Sequence, residues 1–334
     1  MKPKSLPLGS KTLETLAKYH PITYIDIGAR AGATGELDFI KKHINFIGID
    51  ADAAECARLN SRAKENAQGY LSQRFYPIVI GAKQENRRFF ECAAPGCSSL
   101  LKPNHEIAES FGRQDDYRIR NTTLTDTMPL DEAATLYDFG GTHFLKLDAQ
   151  GASYEILESG QHLLEDSILG LRVEMENTEI YLQQALWHKV HQLLTAKGFK
   201  LAGFLEKHEW RRYSRARLDR LQLATGEYPF SRGEFIHFDG LYFLDPKHIF
   251  SRQSSSDASN AIRLAMISMA LGYVDHARYV AEQADLETHC LEKHGVSFNQ
   301  AISEVSMALG RRWRKDQLRA AWRHLRASIV PRTR

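Results

Sequence analysis

Short apolar runs rich in β-branched residues alternate along this chain with segments of helical periodicity, and that alternation restricts the fold more than any other feature. Parallel strands covered on both faces read as nearly continuous apolar runs, and each needs a crossover helix before the next. The spacing predicts seven strands, over 23–27, 46–50, 76–80, 142–148, 169–174, 200–204 and 241–244. Helices are expected over 53–65, 152–164 and 182–197, the last stopped by Gly198, a good C-terminal cap residue. The expected class is α/β, a seven-stranded doubly wound sheet. The less regular stretch 87–137, with a turn at Pro95-Gly96 and a polar strand or loop over 121–127, reads as an insertion over the carboxyl edge of that sheet.

At 334 residues the chain is long for one core. Its composition shifts after Arg252, where Ser254, Ser255 and Ser256 suggest a linker and the remainder is helical in pattern. Three segments are therefore expected: an α/β domain over 1–250, a linker over 251–259 and a small all-α extension over 260–334. Within the extension, 265–284 has the small-residue spacing of a helical hairpin. A net charge of only +3 speaks against a wholesale nucleic-acid binder, and no specific nucleic acid is expected as partner. No apolar run approaches the roughly 20 residues that cross a bilayer, and residues 1–16 lack a secretory signal's apolar core, so the expected location is cytoplasmic. Cys56, Cys92, Cys97 and Cys290 make no metal-type pair and read as reduced thiols. His188 and His191 share a helical face, but without Cys or Asp partners they suggest an ordinary helix surface, and no metal is expected.

The segment from Tyr24 to Gly32 is a strand running into a glycine turn with a helix to follow. In an open α/β sheet a nucleotide-like ligand lies at this turn, because glycine lets the backbone approach it closely. The next strand ends in Gly48-Ile49-Asp50, placing a carboxylate where it can accept protons from both ribose hydroxyls. A dinucleotide fingerprint starting at Gly28 would need glycines where Arg30 and Ala33 stand. Asp26 beside the turn would repel phosphates and suits a cofactor that carries a cationic amino acid, which favours S-adenosylmethionine over NAD.

The fourth strand ends in Lys146-Leu147-Asp148-Ala149-Gln150-Gly151, and alternation puts Lys146 and Asp148 on one face. There Asp148 is a candidate general base and Lys146 a candidate for orienting it, or the two form an ion pair that closes the strand end. Glu174 and Glu176 end the fifth strand; one is expected to face the site, with Glu174 the candidate for a substrate hydroxyl, and the other to face solvent.

These motifs together resemble the FkbM family of methyltransferases. The likeness runs from Asp26-Ile27-Gly28-Ala29 through Gly48-Ile49-Asp50, Val79-Ile80-Gly81, Ser98-Ser99-Leu100 and Pro129-Leu130-Asp131 to the segment 145–151. It continues with Glu174 and Tyr181 and ends at Asp239-Gly240-Leu241-Tyr242-Phe243. It implies a class I, Rossmann-like methyltransferase sheet, S-adenosylmethionine as methyl donor, and O-methylation of a sugar or natural-product hydroxyl, as in building a surface polysaccharide or glycolipid. It also implies that Asp26, Gly28 and Gly32 line the methionine part of the cofactor, Asp50 its ribose and Ile80 its adenine, with Ala29 also cofactor-binding and Lys146 and Asp148 at the reaction centre. Arg30 stands where many members carry Asn. Ser153 stands where an acidic residue commonly follows, which leaves Asp148 as the candidate base.

Two basic stretches remain. Arg311, Arg312, Arg314, Lys315, Arg319, Arg323 and Arg326 surround a stripe of Leu318, Trp322, Leu325 and Ile329 at helical intervals. Such a helix either packs its stripe on the C-terminal domain or lies against an anionic membrane or acidic glycan. Arg211, Arg212, Arg215, Arg217 and Arg220 fall where a substrate lid would sit. The competing readings of the whole chain are a NAD-dependent oxidoreductase and a non-catalytic cofactor-binding interaction module.

Overall fold

A computed structural model of the chain describes residues 10–65, 69–139, 141–213, 232–251 and 257–329. The chain divides into two compact units, one of residues 22–34 and 44–252, the other of residues 1–21, 35–43 and 253–334. The expected split into contiguous blocks is corrected by this division, because an N-terminal helix and the segment 35–43 group with the C-terminal helices. The expected serine linker at 254–256 lies outside the described residues.

Among the described residues the larger unit has ten strands: β1 (Ile22–Ile27), β2 (Ile44–Ile49), β3 (Ser72–Tyr76), β4 (Val79–Ile80), β5 (Glu85–Cys92), β6 (Ile119–Met128), β7 (Thr142–Leu147), β8 (Gly170–Glu176), β9 (Phe199–Trp210) and β10 (Glu234–Leu244). Seven form one sheet in the order β3-β2-β1-β7-β8-β10-β9. Its first five strands pair in parallel, and β10 runs antiparallel to both β8 and β9. This is the doubly wound class I arrangement that the alternation of strands and helices predicts. Every residue of β1, β7 and β8 is buried, which explains their largely apolar reading and makes the charged residues among them, such as Asp26, Lys146 and Glu174, stand out. Tyr24 stands edge-on between Phe46 and Phe144, at 5.2 Å from each, and locks the three central strands together.

The chain winds outward from β1 in one direction to β2 and in the other to β7. Their carboxyl ends therefore diverge at a switch point, where ligands bind in this fold. The glycine turn follows β1 there. Gly28 and Ala29 donate to the carbonyl of Ile49 at 2.9 and 3.0 Å, and Asp148 donates to the carbonyl of Ile27 at 2.9 Å, so the turn is stitched to both neighbouring strands. Gly28 has φ +92°, and a Cβ on it would stand 2.1 Å from the Asp148 carbonyl oxygen.

Four expectations are corrected. The strand over 76–80 is two strands: β3 belongs to the main sheet, whereas β4, beyond Pro77, joins a second sheet of order β4-β6-β5. Pro77 cannot donate to a ladder, and β3 is an edge strand with a polar Ser72-Gln73-Arg74 start, which hides it from an apolar search. The helix over 152–164 is two short helices, Ser153–Glu158 and Gln161–Asp166, parted at Gly160, against which Leu130 packs. The third helix begins only at Trp187 and ends at Ala196, with Gly198 at φ +88° beyond its cap. Strands β9 and β10 extend far past their expected lengths, through residues such as Lys207, His208 and Glu209 that are exposed and polar.

The insertion has a definite structure. Strands β5 and β6 pair antiparallel from Glu85 opposite Thr127 to Cys92 opposite Ile119. Arg87 Nη1 donates to both carboxylate oxygens of Glu155 at 2.9 Å, fixing this hairpin to the helix that follows β7.

In the smaller unit the helices Asp257–Ala270 and Val274–Gln283 form the expected hairpin, followed by Leu286–His294 and the long helix Phe298–Ile329. The helix Lys11–Tyr19 buries Leu13, Leu16 and Ala17 in this unit. Thr12 Oγ1 donates to Glu304 at 3.3 Å, and Arg263 Nε donates to the Pro21 carbonyl at 3.0 Å.

The strained, crowded backbone at Gly28 leads to a test. Gly28→Ala is expected to lower unfolding free energy by about 2–4 kcal/mol, read by urea denaturation. Gly96→Ala, where a Cβ meets nothing within 4 Å, is expected to leave it nearly unchanged. Equal effects at the two positions contradict the account.

Candidate functional site

At the carboxyl ends of β1, β2 and β7 a cavity of about 780 Å³ opens. Of the residues predicted from sequence, Asp26, Gly28, Gly32, Asp50, Ile80, Lys146 and Asp148 line it. Ala29 does not: it is 2% exposed and packs against Gly48, where an added Cβ would come within 3.1 Å of its own. Glu174 stands behind the wall rather than in it. The insertion contributes Ser98, Ser99, Thr123 and Thr125, so one side of the cavity is rich in hydroxyl groups.

On the cofactor side, Asp50 follows the end of β2 and is partly buried. One of its carboxylate oxygens accepts from the backbone N–H of Asp52 at 2.9 Å, and the other has no hydrogen-bond partner among the described residues. Burial raises its pKa above the ordinary aspartate value, against the opposing Asp52 N–H and the charge of Arg30. Arg30 reaches Asp52 at 3.1 Å, on the exposed rim. A half-buried carboxylate with one oxygen available beside a glycine turn has the donor-accepting chemistry that a ribose diol needs. The residues present therefore fit an adenosyl cofactor. Asp26 contributes differently from expectation, because its fully buried carboxylate accepts from Lys146 Nζ at 3.0 Å and from Thr34 at 3.4 Å.

Lys146 is therefore shared. Its ammonium pairs with Asp26 and lies 3.8 Å from Asp148, whose side chain keeps 39% of its exposure. Both sequence readings of Lys146 describe part of this geometry, since it closes an ion pair and also faces Asp148.

The expectation that Glu174 and Glu176 point to opposite sides is corrected. Residues two apart on a strand share a face, and both are buried, at 9% and 3% exposure. Glu174 Oε2 accepts from Gln150 Nε2 at 3.1 Å, and the same amide donates to Asp148 at 2.8 Å. His237 Nδ1 lies 3.1 Å from Glu174 Oε1, with His208 stacked on its ring at 4.1 Å. Burial is the largest influence on both carboxyls. For Glu174 it combines with the Asp148 charge to push the pKa well above the ordinary value. For Asp148 it is outweighed by Lys146 and by hydrogen bonds from Glu174 and Gln150, so the pKa falls. The site thus sets a carboxyl of raised proton affinity, Glu174, behind one of lowered affinity, Asp148, which faces the cavity. Burial, and then His208, lower the His237 pKa to about 4, which keeps it neutral.

Sequence reasoning assigned no role to Gln150, which holds this arrangement together. Its backbone is left-handed, at φ +50°. Ser99 Oγ donates to its carbonyl at 2.7 Å and Tyr181 Oη to its side-chain oxygen at 2.9 Å, leaving the amide N–H groups aimed at the two carboxylates. The signal was present in the run Asp148-Ala149-Gln150-Gly151, but the bracing residues come from distant segments. Ser153, which replaces an acidic residue, donates to the Glu174 carbonyl at 3.0 Å and is structural. Arg215, Arg217 and Arg220 of the expected lid lie outside the described residues. Arg212 pairs with Glu234 at 2.7 Å, away from the cavity wall.

The buried carboxyls make stability depend on pH. Glu176 has an ordinary pKa of 4.5 and is pushed up by burial, then by the Asp148 charge, to about 8 in the fold. Between those values the unfolded chain binds fewer protons than the fold, so stability falls as pH rises through the window. Glu176→Gln, neutral throughout, is expected to gain in Tm relative to wild type between about pH 5 and about pH 9. A difference in Tm that stays constant across that range contradicts this assignment.

The sequence profile of the Methyltransferase FkbM domain matches residues 26–201, just over half of the chain, from the end of β1 into β9. Curated proteins give no match. Among solved structures, the FkbM methyltransferase of Methylobacillus flagellatus KT is similar at 13% identity and a TM-score of 0.35, with 67% of this chain and 44% of that one covered. This chain thus spans less than half the length of that relative. Magnesium protoporphyrin IX methyltransferase from Synechocystis PCC 6803, solved with bound SAM, is similar at 9% identity and a TM-score of 0.32, with 70% and 79% covered. The chain belongs to the FkbM methyltransferase family, in which S-adenosylmethionine is the methyl donor.

Proposed function

We propose that the chain is an O-methyltransferase acting on a sugar hydroxyl, in a surface glycan or glycolipid. The observation that carries this reading is the partly exposed Asp148 carboxylate in a cavity that has the hydroxyl groups of the insertion on one side. A polyhydroxylated acceptor suits the Ser98, Thr123 and Thr125 hydroxyls on that wall.

S-adenosylmethionine supplies an electrophilic methyl group on a sulfonium. The cradle for it is the backbone of Gly28 and Gly32, the Asp50 carboxylate toward the ribose and Ile80 toward the base. With the methyl donor bound there, Asp148 would accept the proton of the acceptor hydroxyl. Lys146 keeps Asp148 ionised, and Gln150 fixes its orientation. Glu174 acts through Gln150 rather than on the substrate. Positioning in a site shielded by the β5–β6 insertion supplies much of the rate.

Family membership argues against the oxidoreductase reading, and the grouping of Asp50, Lys146 and Asp148 around one cavity favours an enzyme over a non-catalytic module. Among the described residues no helix is long and apolar enough to cross a membrane.

The test is product analysis with methyl-labelled S-adenosylmethionine and oligosaccharides carrying free hydroxyls. Label is expected as an O-methyl ether on sugar. Asp148→Asn is expected to lower kcat by about two to three orders of magnitude while S-adenosylhomocysteine still binds. Label on nitrogen or carbon, or an unchanged kcat in the variant, contradicts the proposal.

A further inference from the structure

The long helix Phe298–Ile329 changes character along its length. Phe298, Ala301, Ile302 and Val305 are buried in the helical unit. Beyond Val305 no described residue of the helix is buried. Trp313, Leu318 and Trp322 are exposed at 65%, 65% and 64%. The reading in which the stripe packs on the C-terminal domain is therefore corrected for Leu318 and Trp322; Leu325, Ile329, Arg323 and Arg326 lie beyond the described side chains.

The exposed segment is strongly cationic. Between 311 and 322 it carries Arg311, Arg312, Arg314, Lys315 and Arg319 against a single acid, Asp316. Asp316 lies 3.7 Å from both Arg312 and Arg319, so one carboxylate faces an excess of cations. Leu318 and Trp322 are one turn apart on one face, and Arg311, Arg314 and Lys315 lie one to two turns earlier toward the same side. In sequence the spacing continues through Leu325 and Ile329.

We propose that this part of the helix docks on an anionic lipid membrane surface. Leu318 and Trp322, left in water on one face, cost free energy that insertion at the headgroup boundary recovers, because an indole ring favours that depth; Trp313 lies on the opposite face of the helix and stays outside it. Arginine and lysine stems lie along the apolar stripe and carry their charges to the lipid headgroups. The density of cations rules out spanning and favours lying in the plane of the surface. A nucleic acid would satisfy the cations and leave Leu318 and Trp322 without an apolar partner.

The test uses the full chain with vesicles of phosphatidylcholine alone and of phosphatidylcholine mixed with phosphatidylglycerol, read by flotation and tryptophan fluorescence. Each cation near an anionic surface strengthens binding by about fivefold. Affinity is thus expected to be at least about a hundredfold higher for the mixed vesicles and to fall with salt. Reversing Arg311, Lys315 and Arg319 to Glu is expected to remove that preference. The pair Leu318→Ser and Trp322→Ser is expected to abolish the blue shift of emission, with circular dichroism confirming that both variants stay folded. Equal binding to neutral vesicles, or binding to neither, overturns the proposal. So does tighter binding to duplex DNA or to an acidic glycan, or self-association that Trp322→Ser abolishes.

Discussion

The buried pair of Lys146 and Asp26 is the interaction on which the site depends. The two residues sit opposite each other on β7 and β1, the central strands that part at the switch point, with nitrogen and oxygen 3.0 Å apart. Removing one partner of a buried ion pair costs about 3–5 kcal/mol, because the other charge is left without compensation. The pair also decides where positive charge lies at the strand ends. With Asp26 neutralised, the remaining influence of Lys146 falls on Asp148, and the carboxylate that stays ionised is the one facing the cavity.

Behind that carboxylate, burial raises proton affinity. Glu174 and Glu176 would be difficult to place in a buried strand as charged groups, and burial raises both pKa values, which favours their neutral forms. Gln150 converts this into direction: its amide donates to Asp148 and Glu174 together, and its own position is set by Ser99 from the insertion and Tyr181 from beyond β8. The insertion thus contributes both the hydroxyl-rich wall and a brace for the group that orients Asp148.

Much of this architecture is legible in the sequence, for identifiable reasons. Strands buried on both faces, such as β1 and β7, announce themselves as apolar runs, and the glycine turn and Asp50 follow from their places at strand ends. Edge strand β3 and the polar outer length of β9 do not, because burial there is partial and the apolar signal fades. Gln150 is invisible as a hub, since its role arises from a left-handed backbone and from partners 51 and 31 residues away. The facing of Glu174 and Glu176 was decidable from strand periodicity alone, which places residues two apart on the same side. Ala29 lies inside the motif yet turns to the core, so membership in a motif does not place every residue at the ligand. The grouping of the N-terminal helix with residues 253–334 is a long-range fact that local composition does not carry.

The central claim is that the carboxyl ends of β1, β2 and β7 form an adenosyl-cofactor site in which Asp50 receives the ribose. Calorimetric titration with S-adenosylhomocysteine, comparing wild type with Asp50→Ala, tests it most directly. The account predicts one site per chain in the wild type and affinity weakened by about a hundredfold in the variant, as loss of hydrogen bonds to a charged acceptor implies. No binding to the wild type, or equal binding to both proteins, would contradict it.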